Sequence, residues 1–343
     1  MSGDVIYFMP SYPSVSMSMD LKKARERLLD IYYHYHPPLK TSFLDDLEWI
    51  WGDKWGVNTE VGRLRKVLLH RPGREILAIK EPYEEWRYTY KPKLEEMVRD
   101  YERLKAAFEE EGVEVVERLP EEGPNPRLVK SIYTRDPAFA VPGGVIIGRM
   151  YDRLRRGEEP YVMRTLAQIG CPILRTINGY GVAEGGSVMW ITPKHLALGL
   201  SWRMNEEGAM QIAEVVWAID PDIDIRAEPI FGGHIDAHIC MVDVKTAVVN
   251  RDGLAYTMYE WLRETVGLNI IERPRDVYVS AVAVRPGRVI CASGSGREEG
   301  IRLLERNGVD VITVEIPTLV HPLNSGSIHC LTMPIQRDPE PED

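Results

Sequence analysis

The chain has 343 residues, 44% hydrophobic and 27% charged, enough apolar side chain for one large domain or two ordinary ones and too much for a disordered chain. Its 42 Lys and Arg against 52 Asp and Glu leave a net charge of −10, which argues against a nucleic-acid or anionic-membrane surface. No secretory signal and no bilayer-length apolar run is visible, so the four cysteines are expected as reduced thiols in a cytoplasmic setting.

Residues 1–55 stand apart. They carry Tyr7, Tyr12, Tyr32, Tyr33, Tyr35, Trp49, Trp51 and Trp55, with an amphipathic stretch near Asp20–Tyr33 that Asp20 would cap and Pro37-Pro38 would stop. This reads as an aromatic-rich extension packed on the main domain or on a neighbouring subunit, which leaves room for a homo-oligomer. Residues 339–343 read as an acidic, frayed tail.

Between them, over residues 56–338, one pattern recurs. A helical segment ends at a glycine, and a short β-branched strand follows. In the clearest copy Leu94, Met97, Val98, Tyr101, Leu104 and Phe108 share a helical face, Gly112 supplies the left-handed cap, and Val113–Val116 reads as a strand. The pattern returns at Gly170, Gly267 and Gly308, and in degenerate form where a helix over Glu206–Ala218 ends near Pro221. Apolar strands precede each helix, at Arg65–Leu69, Val145–Gly148, Leu196–Leu200, Ala247–Asn250 and Arg288–Ala292. Alternation of strand and helix ordinarily means an open α/β sheet. Five equal copies point instead to a closed ring of small α/β units. The chain has no G-x-G-x-x-G fingerprint and no P-loop, so no nucleotide cofactor is expected.

Four polar clusters carry candidate chemistry. Cys330 follows the Gly/Ser run Asn324–Ser327; a free cysteine is most often a small buried hydrophobe, but here the backbone can approach a ligand closely. In Gly233-His234-Ile235-Asp236-Ala237-His238, strand alternation would put His234, Asp236 and His238 on one face. They would line a site, with His234 as general acid/base and Asp236 on a cationic substrate, or be a solvated strand face. His234 and His238 as metal ligands is a weaker alternative, since no further close-set pair accompanies them apart from the remote His34 and His36; no metal is expected. Asp136, in Thr134-Arg135-Asp136-Pro137, and Glu184, in Glu184-Gly185-Gly186, stand at turns before apolar strands. Either alone would pass for a surface cap. Several carboxylates near one thiol normally raise its pKa. The arrangement makes sense for a substrate that brings its own positive charge and a planar set of N–H donors, as a guanidinium does.

At these residues the sequence resembles the guanidine-modifying superfamily of arginine deiminases, dimethylarginine dimethylaminohydrolases and amidinotransferases. Val61–Pro72 is similar to the family's opening strand, and Thr134–Pro137, Glu184-Gly185-Gly186, His234-Ile235-Asp236 and Cys330 occur in the family's order. The resemblance implies a five-bladed α/β propeller, the pentein fold. It also implies Cys330 as nucleophile, His234 as general acid/base, Asp136 and Asp236 on the guanidinium, and Glu184 orienting His234 or the guanidinium. Arg203 resembles the arginine these enzymes aim at a substrate carboxylate. Two departures bear on the reaction: the extra helical domain of bacterial arginine deiminases is absent, and His329, rather than their usual arginine, precedes the cysteine. The Ile328-His329-Cys330 string is closer to agmatine deiminases and amidinotransferases, whereas Glu-Gly-Gly is closer to the hydrolases. Hydrolysis of arginine or a close relative leads, with amidino transfer to an amine as the alternative and a non-catalytic binding protein on the same fold, or a metal-dependent amidohydrolase, further off.

Overall fold

The computed structural model describes residues 41–120, 128–294, 296–320 and 326–339. The expected helix near Asp20–Tyr33, His34, His36, Asn324, Ser325 and the tail from residue 340 lie outside the described residues. The chain divides after Asp46, and the fold below is that of the compact unit Leu47–Asp343. No described helix is long and apolar enough to cross a membrane.

Among the described residues, fifteen strands form five three-stranded sheets. Four of these units follow one plan: an antiparallel hairpin, a helical crossover, then a strand parallel to the second. The first is β3 (Ala138–Val141), β4 (Gly144–Ile147) and β5 (Ile173–Thr176); the second is β6 (Val188–Thr192), β7 (His195–Leu200) and β8 (Asp224–Pro229). The third is β9 (Ile239–Asp243), β10 (Thr246–Val249) and β11 (Asn269–Glu272), and the fourth is β12 (Ala281–Arg285), β13 (Arg288–Ala292) and β14 (Asp310–Val314). The remaining sheet is assembled from both ends of the unit. There β1 (Leu64–Leu69) pairs in parallel with β2 (Glu114–Glu117), and the hairpin partner of β1 is β15 (Met333–Arg337), reached only after the other four sheets.

The third strand of each plan is the least buried. Strands β3 and β15 are buried throughout, and β6, β9 and β12 in all but their last residue, whereas β2, β5, β8 and β11 hold no fully buried residue and β14 only one. Strands covered on both faces read as unbroken apolar runs rather than alternating ones, which is why Phe139-Ala140-Val141 and Val188–Ile191 stood out in the sequence.

The crossover helices are α1 (Leu94–Glu110), α2 (Glu159–Gln168), α3 (Glu206–Ile219), α4 (Tyr256–Glu260, running on as a π-turn over Trp261–Thr265) and α5 (Glu298–Arg306). On α1, Met97, Tyr101, Leu104 and Phe108 are buried along one stripe, as their spacing requires. Gly112, Gly170, Gly267 and Gly308 terminate four helical crossovers with φ of 75°, 86°, 75° and 83°, a backbone region that costs a side-chain-bearing residue about 1–2 kcal/mol. The degenerate copy differs for a physical reason. Helix α3 stops at Asp220, whose extended φ of −145° needs no glycine.

Candidate active site

The inner strands share one further property: the residues that bear chemistry sit in the turn leading into each of them. Thr134–Pro137 leads into β3, Glu184–Ser187 into β6, His234–His238 into β9, Tyr278 lies just ahead of β12, and Gly326–Thr332 leads into β15. Cys330, His234, Asp136, Asp236 and Arg203 all line one cavity of about 690 Å³.

His234 is the hub. Its Nε2 lies 2.9 Å from Glu184 Oε2 and its Nδ1 lies 3.7 Å from Asp136 Oδ1. Burial opposes a charge on the imidazole, but Asp136 and the Glu184 hydrogen bond outweigh it and raise its pKa. Glu184 is fully buried and does not line the cavity; besides His234 it accepts from Arg203 Nη1 at 2.7 Å and from the Tyr151 N–H at 2.9 Å. Of its two anticipated roles, orienting His234 is the one its position allows. The glycines after it explain themselves by contact. A Cβ on Gly185 would come within 2.0 Å of the Arg135 carbonyl, and one on Gly186 within 2.7 Å of His234 Nδ1.

Asp136 is buried and paired with Arg155 Nη1 through Oδ2, while its Oδ1 has no hydrogen-bond partner among the described residues. Burial works against its charge, yet His234 and Arg155 keep its pKa below the usual value. Arg155 is itself fully engaged, donating to both Glu158 oxygens at 2.9 and 2.7 Å and to the Tyr133 carbonyl at 2.9 Å. Asp236 holds His329 Nδ1 at 2.8 Å.

Cys330 differs from the other thiols. Cys171, Cys240 and Cys291 are buried in apolar clusters, while Cys330 is half-buried at the cavity wall, with Ser327 Oγ 3.3 Å from its Sγ. Burial, then the charges of Asp236 and Asp136, push its thiol up to about 12. A cation held between those carboxylates would offset the second cause and favour the thiolate.

One expectation needs correction. Residues 235–237 form a 3₁₀ turn and strand β9 begins only at Ile239, so His234, Asp236 and His238 do not share a strand face. The turn keeps His234 and Asp236 on the cavity and turns His238 away, its Nε2 2.5 Å from the Phe231 carbonyl. Arg203 lines the cavity and forms an ion pair with Glu184 there. Two residues on, Asn205 caps α3 by accepting the Gly208 N–H at 2.9 Å.

Sequence reasoning missed other wall residues. Arg155 and Asp152 come from the arginine- and glutamate-rich segment Tyr151–Glu159, which the sequence offers as a candidate substrate-side loop without singling out either residue. Lys130, Tyr278 and Arg297 gave no signal. Burial, with Arg155 and Arg87 nearby, drops the Lys130 amine to about 7, and Arg297 stacks 5.7 Å from the Tyr278 ring. Asp136, Glu184 and His234 place ligand atoms within 4.8 Å of one another, spacing that suits a metal ion. The donors do not fit one well: Arg155 and Arg203 already neutralise both carboxylates, and a divalent cation would sit against two guanidinium groups.

The arginine deiminase family model matches residues 124–264, a span that contains Asp136, Glu184, Arg203, His234 and Asp236. Among solved structures, the chain is similar to a dimethylarginine dimethylaminohydrolase of Pseudomonas aeruginosa, in a cysteine-to-serine form complexed with citrulline (20% identity, 79% of this chain and 99% of that one, TM-score 0.64). It is similar to the inosamine-phosphate amidinotransferase of Streptomyces griseus (17% identity, 82% and 97%, TM-score 0.63). It is also similar to an amidinotransferase of Microseira wollei from saxitoxin biosynthesis (14% identity, 83% and 98%, TM-score 0.63). Over residues 124–264 the chain is thus similar to the arginine deiminase family, and in its fold it is similar to guanidine-modifying proteins of the pentein superfamily.

Proposed function

We propose that the chain is a cysteine-dependent enzyme acting on a guanidino compound, arginine or a close derivative, through a covalent amidino-cysteine intermediate. The five hairpin–helix–strand units, with β15 completing the sheet of β1 and β2, are read as the blades of an α/β propeller that forms the catalytic domain. The observation that carries the proposal is the convergence of one raised thiol, one raised imidazole and two carboxylates on a single cavity.

The chemistry follows from those groups. The guanidinium lies between Asp136 Oδ1, which lacks a partner, and Asp236, and its charge draws the Cys330 thiol toward thiolate. Sulfur adds to the guanidinium carbon. The nitrogen that leaves takes a proton from His234, and the thiol proton restores the imidazolium, so the leaving ammonia or amine carries away the proton the thiol gave up. Water then attacks the amidino-thioether, releases the product and returns the thiol. If an amine attacks instead, the same intermediate yields amidino transfer. Hydrolase and amidinotransferase structures match with equal likeness, so the fold does not choose between them; hydrolysis is the reading argued from Glu184-Gly185-Gly186.

The test is intact-protein mass spectrometry after mixing with L-arginine and other guanidines and quenching in acid, beside Cys330→Ser. An amidino-mass adduct on wild type alone supports the proposal, and glycine or ornithine then reports whether water or an amine discharges it. No adduct and no released ammonia or amine across the guanidines would sink it.

A further inference from the structure

Behind the nucleophile lies a line of charged side chains that the mechanism above does not use. Asp236 Oδ2 meets His329 Nδ1 at 2.8 Å, His329 Nε2 meets Glu60 Oε2 at 3.6 Å, and Glu60 Oε1 meets Arg135 Nη1 at 3.4 Å. Glu60, His329 and Arg135 are all buried, and none of the three lines the active-site cavity; only Asp236 does. Such a line is expensive to bury unless each charge is matched by its neighbours. Here the signs alternate, and both imidazole nitrogens face a carboxylate. Burial and Arg135 oppose a charge on His329, but Asp236 and Glu60 prevail and its pKa rises; Glu60 is held at about 2 against its own burial by Arg135 and His329.

The line is also tied to the backbone of the site. The Arg135 N–H donates to the Cys330 carbonyl at 3.2 Å, and Arg135 Nε reaches the His329 carbonyl at 3.5 Å. Arg135 immediately precedes Asp136, and His329 immediately precedes Cys330. The same groups therefore touch the chain at three of the points that must be in register: both carboxylates and the thiol.

We infer that His329, backed by Glu60, is a positioning residue: it fixes Asp236 by one oxygen so that the other is presented to the substrate's cationic group. This deepens the proposed function and rests on it. Asp236 grips the cation before and during reaction, so loss of its orientation weakens substrate and transition state alike, and the effect falls on KM.

The experiment measures KM, kcat and melting temperature for His329→Gln and Glu60→Gln with the guanidine that wild type turns over best. It also measures Kd for that guanidine by calorimetry in a Cys330→Ala background. The expected result is a KM and Kd increase of about 10- to 100-fold for His329→Gln, the range for losing a hydrogen bond to a charged group, and a smaller increase for Glu60→Gln, with kcat within about threefold of wild type. A merely structural role lowers the folded fraction and hence apparent kcat, leaving KM unchanged. KM and Kd within twofold of wild type in whichever of the two variants folds overturns the inference while wild-type turnover leaves the proposed function standing. Absence of any guanidine turnover or binding by the unaltered protein overturns both.

Discussion

Glu184→Gln separates the orienting role of this carboxylate from its bulk. The amide keeps the shape of a fully buried side chain but removes the charge that His234 Nε2, Arg203 Nη1 and the Tyr151 N–H share at 2.9, 2.7 and 2.9 Å. A hydrogen bond to a charged partner is worth about 1.5–3 kcal/mol. Losing it lowers the His234 pKa, and the unmatched Arg203 cation pushes the same way. Asp136 remains, so the imidazole keeps part of its elevation. The sign is fixed by the role. A general acid must be protonated, so activity holds below the His234 pKa and is lost as pH rises through it. The alkaline limb of the kcat/KM profile should therefore move to lower pH in Glu184→Gln, and an imidazole NMR titration of His234 should move with it. A variant with an unshifted limb and unshifted titration, whatever its rate, would refute the assignment of Glu184 as the group that sets His234.

Gly186→Ala should lower kcat/KM by about 100-fold, because a Cβ there lies 2.7 Å from His234 Nδ1 and 3.0 Å from Asp136 Oδ1 and displaces one of them, and a displacement of about 1 Å costs that much; steady-state kinetics on folded variant checks it. Gly112→Ala meets no atom within 4 Å but keeps a φ of 75°, so it should cost about 1–2 kcal/mol in denaturant melts and leave KM untouched. Glu60, held at about 2 in the folded protein, contributes stability that is present above its ordinary pKa and is lost as pH falls through about 2. Acid unfolding followed by circular dichroism should be shallower over that window in Glu60→Gln.

Much of this was legible because the signals were local. The helix stripe Met97, Tyr101, Leu104, Phe108 and the glycines at 112, 170, 267 and 308 each announce an element and its end within a few residues. The site clusters were legible for a related reason, since each lies in the turn before an apolar inner strand. What failed was the backbone of 234–238, where alternation imitated a strand but the chain makes a 3₁₀ turn before β9. What was invisible was pairing across distance. Arg155 meets Asp136 and Glu60 approaches His329 through contacts that no spacing in the sequence encodes. Arg203 shows the same limit: its presence at the cavity was readable, its partner Glu184 was not.

The late arrival of β15 has a consequence for biosynthesis. Cys330 is carried in the turn that feeds this strand, and β15 completes a sheet whose other members were made at the opposite end of the unit. While the ribosome is still making the fourth sheet, β1 shows an open edge and the thiol does not yet exist in the chain. A nascent or prematurely terminated product therefore lacks the proposed nucleophile and presents an unpaired strand edge, the feature that makes incomplete sheets prone to association. On the proposed reading, a guanidine meets the Cys330 thiol only on molecules whose synthesis has reached the closing strand.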